Sequence, residues 1–169
     1  SSFFQVNTEQ AERMVEMVRD RLELSGKEIL IDAYAGVGVF AILLAPYAHK
    51  VIAIEDSPSA VEDGKRNAEG LDNVEVVLGR SEVVLSEFDS HVDVVILDPS
   101  RKGCHPDVIA AVGRLAPDRV VLVSCDVGSM ARDLASLVAG PFILEEIQPV
   151  DMFPQTRHIE NVSFLRHEA

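Results

Sequence analysis

Two thiols and a scattered set of carboxylates are the side chains of this sequence with chemistry to offer. Cys125 follows the apolar run Val120-Val121-Leu122-Val123-Ser124 and precedes Asp126-Val127-Gly128, so it stands between a strand end and a helix start. A helix N-terminus stabilises a thiolate and favours a nucleophile, whereas a free cysteine in apolar surroundings is often an inert core residue. Cys104, in Arg101-Lys102-Gly103-Cys104-His105, has two cations beside it and is the rival nucleophile on electrostatic grounds. His158 and Glu160 lie in the polar stretch Met152-Phe153-Pro154-Gln155-Thr156-Arg157-His158-Ile159-Glu160. Either can serve as a general base and either can simply be solvated; the bare residues do not choose between them.

A second group of residues is suited to hold a ligand. Ile29-Leu30-Ile31-Asp32-Ala33-Tyr34-Ala35-Gly36-Val37-Gly38-Val39-Phe40-Ala41 changes from strand-like to helix-like apolar spacing, with Gly36 and Gly38 at the change. Glycines there allow positive φ and a close backbone approach, and the following helix offers unpaired N–H groups. Gly36-x-Gly38-x-x-Ala41 fits nicotinamide dinucleotides and S-adenosylmethionine equally. Asp32 separates the two: a carboxylate at the strand end suits a ligand with an ammonium and a sulfonium and repels a pair of phosphates. The reading is therefore S-adenosylmethionine, against a turn-capping role for Asp32. Glu55 ends a strand about twenty residues beyond the glycine turn, where an acid accepts both ribose hydroxyls. Asp98-Pro99 is a rigid acceptor after a fourth strand, or else a plain turn former.

The elements that must position these residues are legible from apolar spacing. An amphipathic helix carries Ala11, Met14, Val15, Val18 and Leu22 on one face, with Asn7 or Thr8 as cap and Gln10 reaching back. Strands follow at Glu28 to Ile31, Val51 to Glu55, Val74 to Leu78, Val92 to Leu97 and Arg119 to Ser124. Helices follow at Phe40 to Ala45, from Ser57-Pro58 to about Gly70, near Glu82 to Phe88, from Pro106 to about Leu115 and from Gly128 to Val138. Strict alternation of this kind marks an α/β, doubly wound, mostly parallel sheet covered on both faces. Phe142 to Val150 and Asn161 to Arg166 come without a helix between them and predict an antiparallel pair at the C-terminal end. In such a sheet Asp32, Glu55, Asp98 and Cys125 all end strands at one edge, and an antiparallel last strand brings Glu160 there too.

Composition sets the outer bounds. With 169 residues, 47% of them hydrophobic, the chain supports one domain over residues 1–169 with a true core. No apolar run approaches the ~20 residues that cross a bilayer, and no secretion signal opens the chain, so no membrane partner is expected. Two cysteines without a Cys-x-x-Cys knuckle predict neither disulfide framework nor metal, and fit a reducing cytoplasm. A net charge of −13 is the wrong sign for gripping nucleic acid unaided. Together with the start at Ser1-Ser2-Phe3-Phe4, without methionine, it reads as a domain of a longer chain.

The ordered motifs resemble those of the RNA uracil-5-methyltransferases, which make 5-methyluridine in transfer and ribosomal RNA with S-adenosylmethionine. The likeness rests on Phe3-Phe4-Gln5-Val6-Asn7, Asp32-x-Tyr34-x-Gly36-x-Gly38-x-Phe40 and Asp98-Pro99-Ser100-Arg101-Lys102-Gly103. It continues through Val123-Ser124-Cys125 with Ala131-Arg132-Asp133-Leu134, and Asp151-Met152-Phe153-Pro154-x-Thr156-x-His158-x-Glu160. It implies a Rossmann-like methyltransferase domain in which Gln5, Tyr34, Glu55 and Asp98 contact S-adenosylmethionine, Cys125 is the nucleophile and Glu160 the base. It also implies an RNA substrate gripped mainly by an N-terminal β-barrel domain, and in some members an iron–sulfur cluster bound by four cysteines; this sequence holds neither. The chain departs from the family at Asp126-Val127, where Asn-Pro is usual, at Ser100, where a second proline is usual, and at Val39, often Asn. A negative Asp126 beside Cys125 is expected to raise the thiol pKa. The competing expectations are a methyltransferase acting on another substrate, which needs no thiol, and a non-catalytic S-adenosylmethionine-binding module.

Overall fold

Strands that are apolar on both faces fold only between two helical layers, and this chain has them. All four residues of Val94–Leu97 are buried, as are Val120 through Ser124. The computed structural model of the protein describes residues 8–151 and 159–169. In chain order the elements are α1 (Thr8–Leu22), β1 (Ile29–Asp32), α2 (Val39–Leu44) with a 3₁₀ turn at Ala45–Tyr47, β2 (Lys50–Glu55), α3 (Pro58–Asn67), β3 (Val74–Leu78), α4 (Ser81–Glu87), β4 (Val94–Leu97), α5 (Pro106–Leu115), β5 (Arg119–Ser124), α6 (Val127–Ala139), β6 (Phe142–Val150) and β7 (Glu160–His167).

The strands form one seven-stranded sheet in the order β3-β2-β1-β4-β5-β7-β6. The first five are parallel, and β7 runs antiparallel to both β5 and β6. The expected alternation and the antiparallel C-terminal pair are both present. Sequence order alone did not show that β7 inserts between β5 and β6, leaving β6 as the edge. Pro149 fits that edge, where a missing N–H costs the ladder nothing.

Helix starts follow their chemistry. The Ser57 hydroxyl accepts the Ala60 N–H ahead of α3, with Pro58 in the first turn, and His105 Nδ1 accepts the Asp107 N–H at 3.2 Å ahead of α5. Two boundaries differ from the expectation by more than one residue. α3 stops at Asn67, because the chain turns through Gly70 at φ 86°. β4 starts at Val94, because the Asp93 carboxylate takes the Ile29 N–H at 2.7 Å just before the ladder begins.

Alternation along the strands sends side chains into two cores. On one face Leu30, Ala53, Ile96, Val123 and Val162 pack under α1 and α2 through Met14, Val18, Phe40 and Leu44. On the other Ile31, Ile54, Leu97 and Leu122 pack under α4, α5 and α6 through Leu85, Val112 and Leu137. Each such side chain contributes about 1.5–3 kcal/mol by leaving water, which holds the sheet rigid beneath its C-terminal edge. Among the described residues no helix is long and apolar enough to cross a membrane, and no group of three or more His, Cys, Asp or Glu is arranged to hold a metal ion.

Candidate active site

Side-chain period decides which strand-end residues meet. Leu30, Ala53, Ile96 and Val123 face the α1/α2 side, so two residues later Asp32, Glu55, Asp98 and Cys125 fall on that same side at the strand ends. Val162 of β7 faces the same side, and two residues earlier stands Glu160. One face of one sheet edge therefore carries four carboxylates and a thiol. β1 and β4 are neighbours there, with connections leaving in opposite directions, which is where open α/β sheets form a crevice.

Cys125 and Glu160 are brought together by strand register. β5 and β7 pair antiparallel from Arg119 opposite Arg166 to Ser124 opposite Asn161, and one further step sets Cys125 opposite Glu160. Both keep part of their surface in contact with solvent. Burial first, and then the Glu160 charge, push the Cys125 thiol up; the Arg101 charge pulls it back. Burial likewise raises Glu160, with Arg101 again opposing. The expected lowering of the thiol by the helix start is therefore outweighed. Asp126 is not what raises it either: its carboxylate turns away to cap α6, accepting the Ser129 N–H at 2.8 Å.

The glycine turn is held open from below. Gly36 and Gly38 have φ 55° and 90°, and a Cβ on Gly36 would project into open space. Glu55 Oε2 accepts the Gly36 N–H at 2.8 Å and Oε1 accepts the Ser57 N–H at 2.8 Å, while the Asn67 amide donates to the Val37 carbonyl at 3.1 Å. Asp32 is 1% exposed, and neither carboxylate oxygen has a hydrogen-bond partner among the described residues. Burial pushes it up to about 7; the Tyr34 and Ala41 N–H groups offset part of that rise without closing a hydrogen bond, and Glu55 adds to it. A buried, unpaired carboxylate beside an open glycine turn is a receptor for a cationic group.

Asp98 ends β4, and burial first, then the charges of Glu160 and Asp32, raise it well above the usual carboxylate range. The loop after it runs to α5 and is tied on both sides. The Tyr34 hydroxyl accepts the His105 N–H at 3.2 Å, so Tyr34 faces this loop. Asp133 of α6 accepts the Cys104 N–H at 2.7 Å. Cys104 itself is 6% exposed within the α5/α6 core, and burial followed by the neighbouring Asp133 pushes its thiol far up. That counts against the rival reading: Cys104 is buried with Asp133 beside it, while the Arg101 charge acts on Cys125. Arg101 and the Arg132–Asp133 pair are the contributors that spacing alone did not single out, although all three stand inside the quoted motifs. Gln5 and His158 lie outside the described residues.

The family model described as tRNA (uracil-5-)-methyltransferase matches residues 1–168. An uncharacterized RNA methyltransferase of Thermosynechococcus vestitus is 43% identical over 168 residues, 98% of this chain and 37% of its own length. Another from Oceanobacillus iheyensis is 41% identical over 169 residues, 97% of this chain and 37% of its own length. The chain thus spans little more than a third of the curated relatives it matches. Among solved structures, the Pyrococcus abyssi tRNA (uracil-54, C5)-methyltransferase in complex with S-adenosyl-L-homocysteine superposes with a TM-score of 0.82 at 36% identity, covering 98% of this chain and 40% of its own. An rRNA methylase from Streptococcus thermophilus shares the fold at TM-score 0.76 and 17% identity, covering 92% and 96%.

Proposed function

Since the chain belongs to the tRNA (uracil-5-)-methyltransferase family, we propose that it is the S-adenosylmethionine-dependent domain of an enzyme that methylates carbon 5 of a uridine in RNA through a cysteine adduct. The observation that carries this reading is the antiparallel β5/β7 pairing that ends at Ser124 opposite Asn161, with Cys125 and Glu160 the next residue on each side, on the face and edge shared with Asp32, Glu55 and Asp98.

The residues at the glycine turn fit the cofactor. Asp32, buried and without a hydrogen-bond partner among the described residues, would hold its ammonium; Glu55 keeps lone pairs for the ribose hydroxyls after accepting two backbone N–H groups; Asp98 would close the floor. S-adenosylmethionine, when bound, supplies an electrophilic methyl group. The chain's own residues supply the rest. Carbon 5 of uracil is a poor nucleophile, so the Cys125 thiolate adds to carbon 6, and the carbon 5–carbon 6 π pair moves into an enolate whose carbon 5 can accept a methyl group. The Arg101 charge favours the thiolate. Once carbon 5 carries both methyl and hydrogen, Glu160 removes that proton; the C–H pair re-forms the double bond and Cys125 leaves as thiolate. Methylation at nitrogen or oxygen would need no thiol.

RNA containing 5-fluorouridine tests the reading, because fluorine at carbon 5 cannot leave as a proton. The full-length protein with S-adenosylmethionine is expected to form a covalent RNA adduct that survives denaturation and maps to Cys125. Absence of the adduct, or undiminished methyl transfer by Cys125→Ala, would falsify it.

A further inference from the structure

α6 begins two residues after Cys125, behind the Asp126 cap, and packs its first turns against the loop that carries Arg101. Two contacts join them, and a third, within α6, ties the two side chains that make them. Asp133, 2% exposed, accepts the Cys104 N–H at 2.7 Å through Oδ2 and the Arg132 guanidinium at 3.0 Å through Oδ1. The same guanidinium donates to the Lys102 carbonyl at 2.6 Å. Between them sits Gly103 at φ 80°, where an added Cβ would overlap both the Arg132 guanidinium and the Asp133 carboxylate, so only glycine lets the loop lie this close. On its far side the loop is held by the Tyr34 hydroxyl. These contacts close a ring: Cys125, the Asp126 cap, α6, Arg132 and Asp133, Lys102 and Cys104, Arg101, and back to the sulfur.

We propose that the Arg132–Asp133 pair is a positioning device that fixes the loop backbone on both sides of Gly103, and through it sets Arg101 against Cys125. Arg101 is long, carried on an exposed loop, and would otherwise sample many rotamers, so keeping its charge near one sulfur needs a backbone held in place. Among the described residues, the charged groups acting on the thiol are Glu160 from β7 and Arg101 from the loop; Asp126 is turned to Ser129. The consequence for turnover rests on Cys125 being the nucleophile, but the positioning itself does not, because the thiol can be titrated without RNA or cofactor.

The experiment is the pH dependence of iodoacetamide modification of Cys125 in the full-length protein, followed by peptide mass spectrometry so that each cysteine is scored separately. Asp133→Ala is expected to raise the apparent pKa of Cys125 by about one unit, as loss of a nearby cation does. The sign is diagnostic, since removing a negative charge by itself would lower a thiol pKa. Gly103→Ala changes no charge and is expected to shift it the same way, which keeps the test available if Asp133→Ala does not fold. Asp133→Asn, whose carbonyl can still accept the Cys104 N–H, should recover part of the shift. In an Arg101→Gln background, which shows the rise by itself, neither change should add to it. An unchanged or lowered Cys125 pKa in a folded variant, or a shift that adds in full to that of Arg101→Gln, would overturn the proposal. Failure of the fluorouridine adduct with these shifts intact would sink the uridine reading and leave the positioning standing.

Discussion

Glu55 at the end of β2 holds Gly36 in the turn after β1, its Oε2 accepting the Gly36 N–H at 2.8 Å while its Oε1 takes the Ser57 N–H ahead of α3. One carboxylate thus sets the shape of the glycine turn and starts the neighbouring helix, and it presents its remaining lone pairs to whatever the turn holds.

Glu55→Gln and Glu55→Ala should therefore differ in stability and agree in binding. The amide oxygen of Gln can still accept one backbone N–H, so its melting temperature should fall less than that of the Ala variant. Both should bind S-adenosylhomocysteine at least about tenfold more weakly, through loss of charge-assisted acceptors. Calorimetry and thermal denaturation measure the two effects. Wild-type affinity in either variant would show that Glu55 serves only the backbone.

The buried Asp32 makes stability and binding depend on pH in opposite directions. Its folded-state value of about 7 lies above that of an unfolded aspartate, so between about pH 4 and 7 the folded chain keeps a proton that the unfolded chain releases. Stability therefore falls as pH rises through that window, by an amount of the order of 2–4 kcal/mol that Asp32→Asn should remove. A cationic ligand favours the carboxylate, so its binding should release a proton and tighten from pH 6 to 8. Denaturant titrations across pH, and calorimetry in buffers of different ionisation heat, give both quantities. A flat affinity profile would mean that no cation sits on Asp32.

Glu160 raises the thiol and is proposed to finish the reaction, so its replacement should separate the two roles. In Glu160→Gln the Cys125 thiol should titrate lower by about one unit, and alkylate faster near neutrality, because its negative neighbour is gone. The same variant should lose turnover while accumulating a covalent complex with ordinary uridine RNA, since nothing takes the carbon 5 proton. Denaturing gels of reactions with labelled RNA show whether the complex forms; free methylated product from the variant would remove Glu160 from the base role.

At Asp126 the expected effect is on α6 alone. Asp126→Ala removes the side chain that accepts the Ser129 N–H and should lower the melting temperature by a few degrees, whereas Asp126→Asn keeps a cap. Neither should move the thiol titration much. A large drop of the Cys125 pKa in Asp126→Asn would show that its charge reaches the sulfur after all.

The apolar period along the chain determined most of the architecture by itself. Fully apolar runs such as Val120 to Val123 have no stable place except between two layers, and caps such as Ser57-Pro58 depend on neighbours only three residues away. The same period determined that Asp32, Glu55, Asp98 and Cys125 end strands, because alternation is a local property. Partnership across the sheet was decided only by the tertiary structure. Strand order is a matter of which apolar faces pack best over the whole chain, so the insertion of β7 beside β5, and with it the meeting of Cys125 with Glu160, carries no local signature. Electrostatics followed the same division. Neighbours in sequence assigned Arg101 to Cys104 and Asp126 to Cys125, yet a loop clamped to α6 buries Cys104 and the Arg101 charge acts on the other thiol, while a helix start claims Asp126. Charge acts through space, and a folded chain sets its distances by packing rather than by sequence separation.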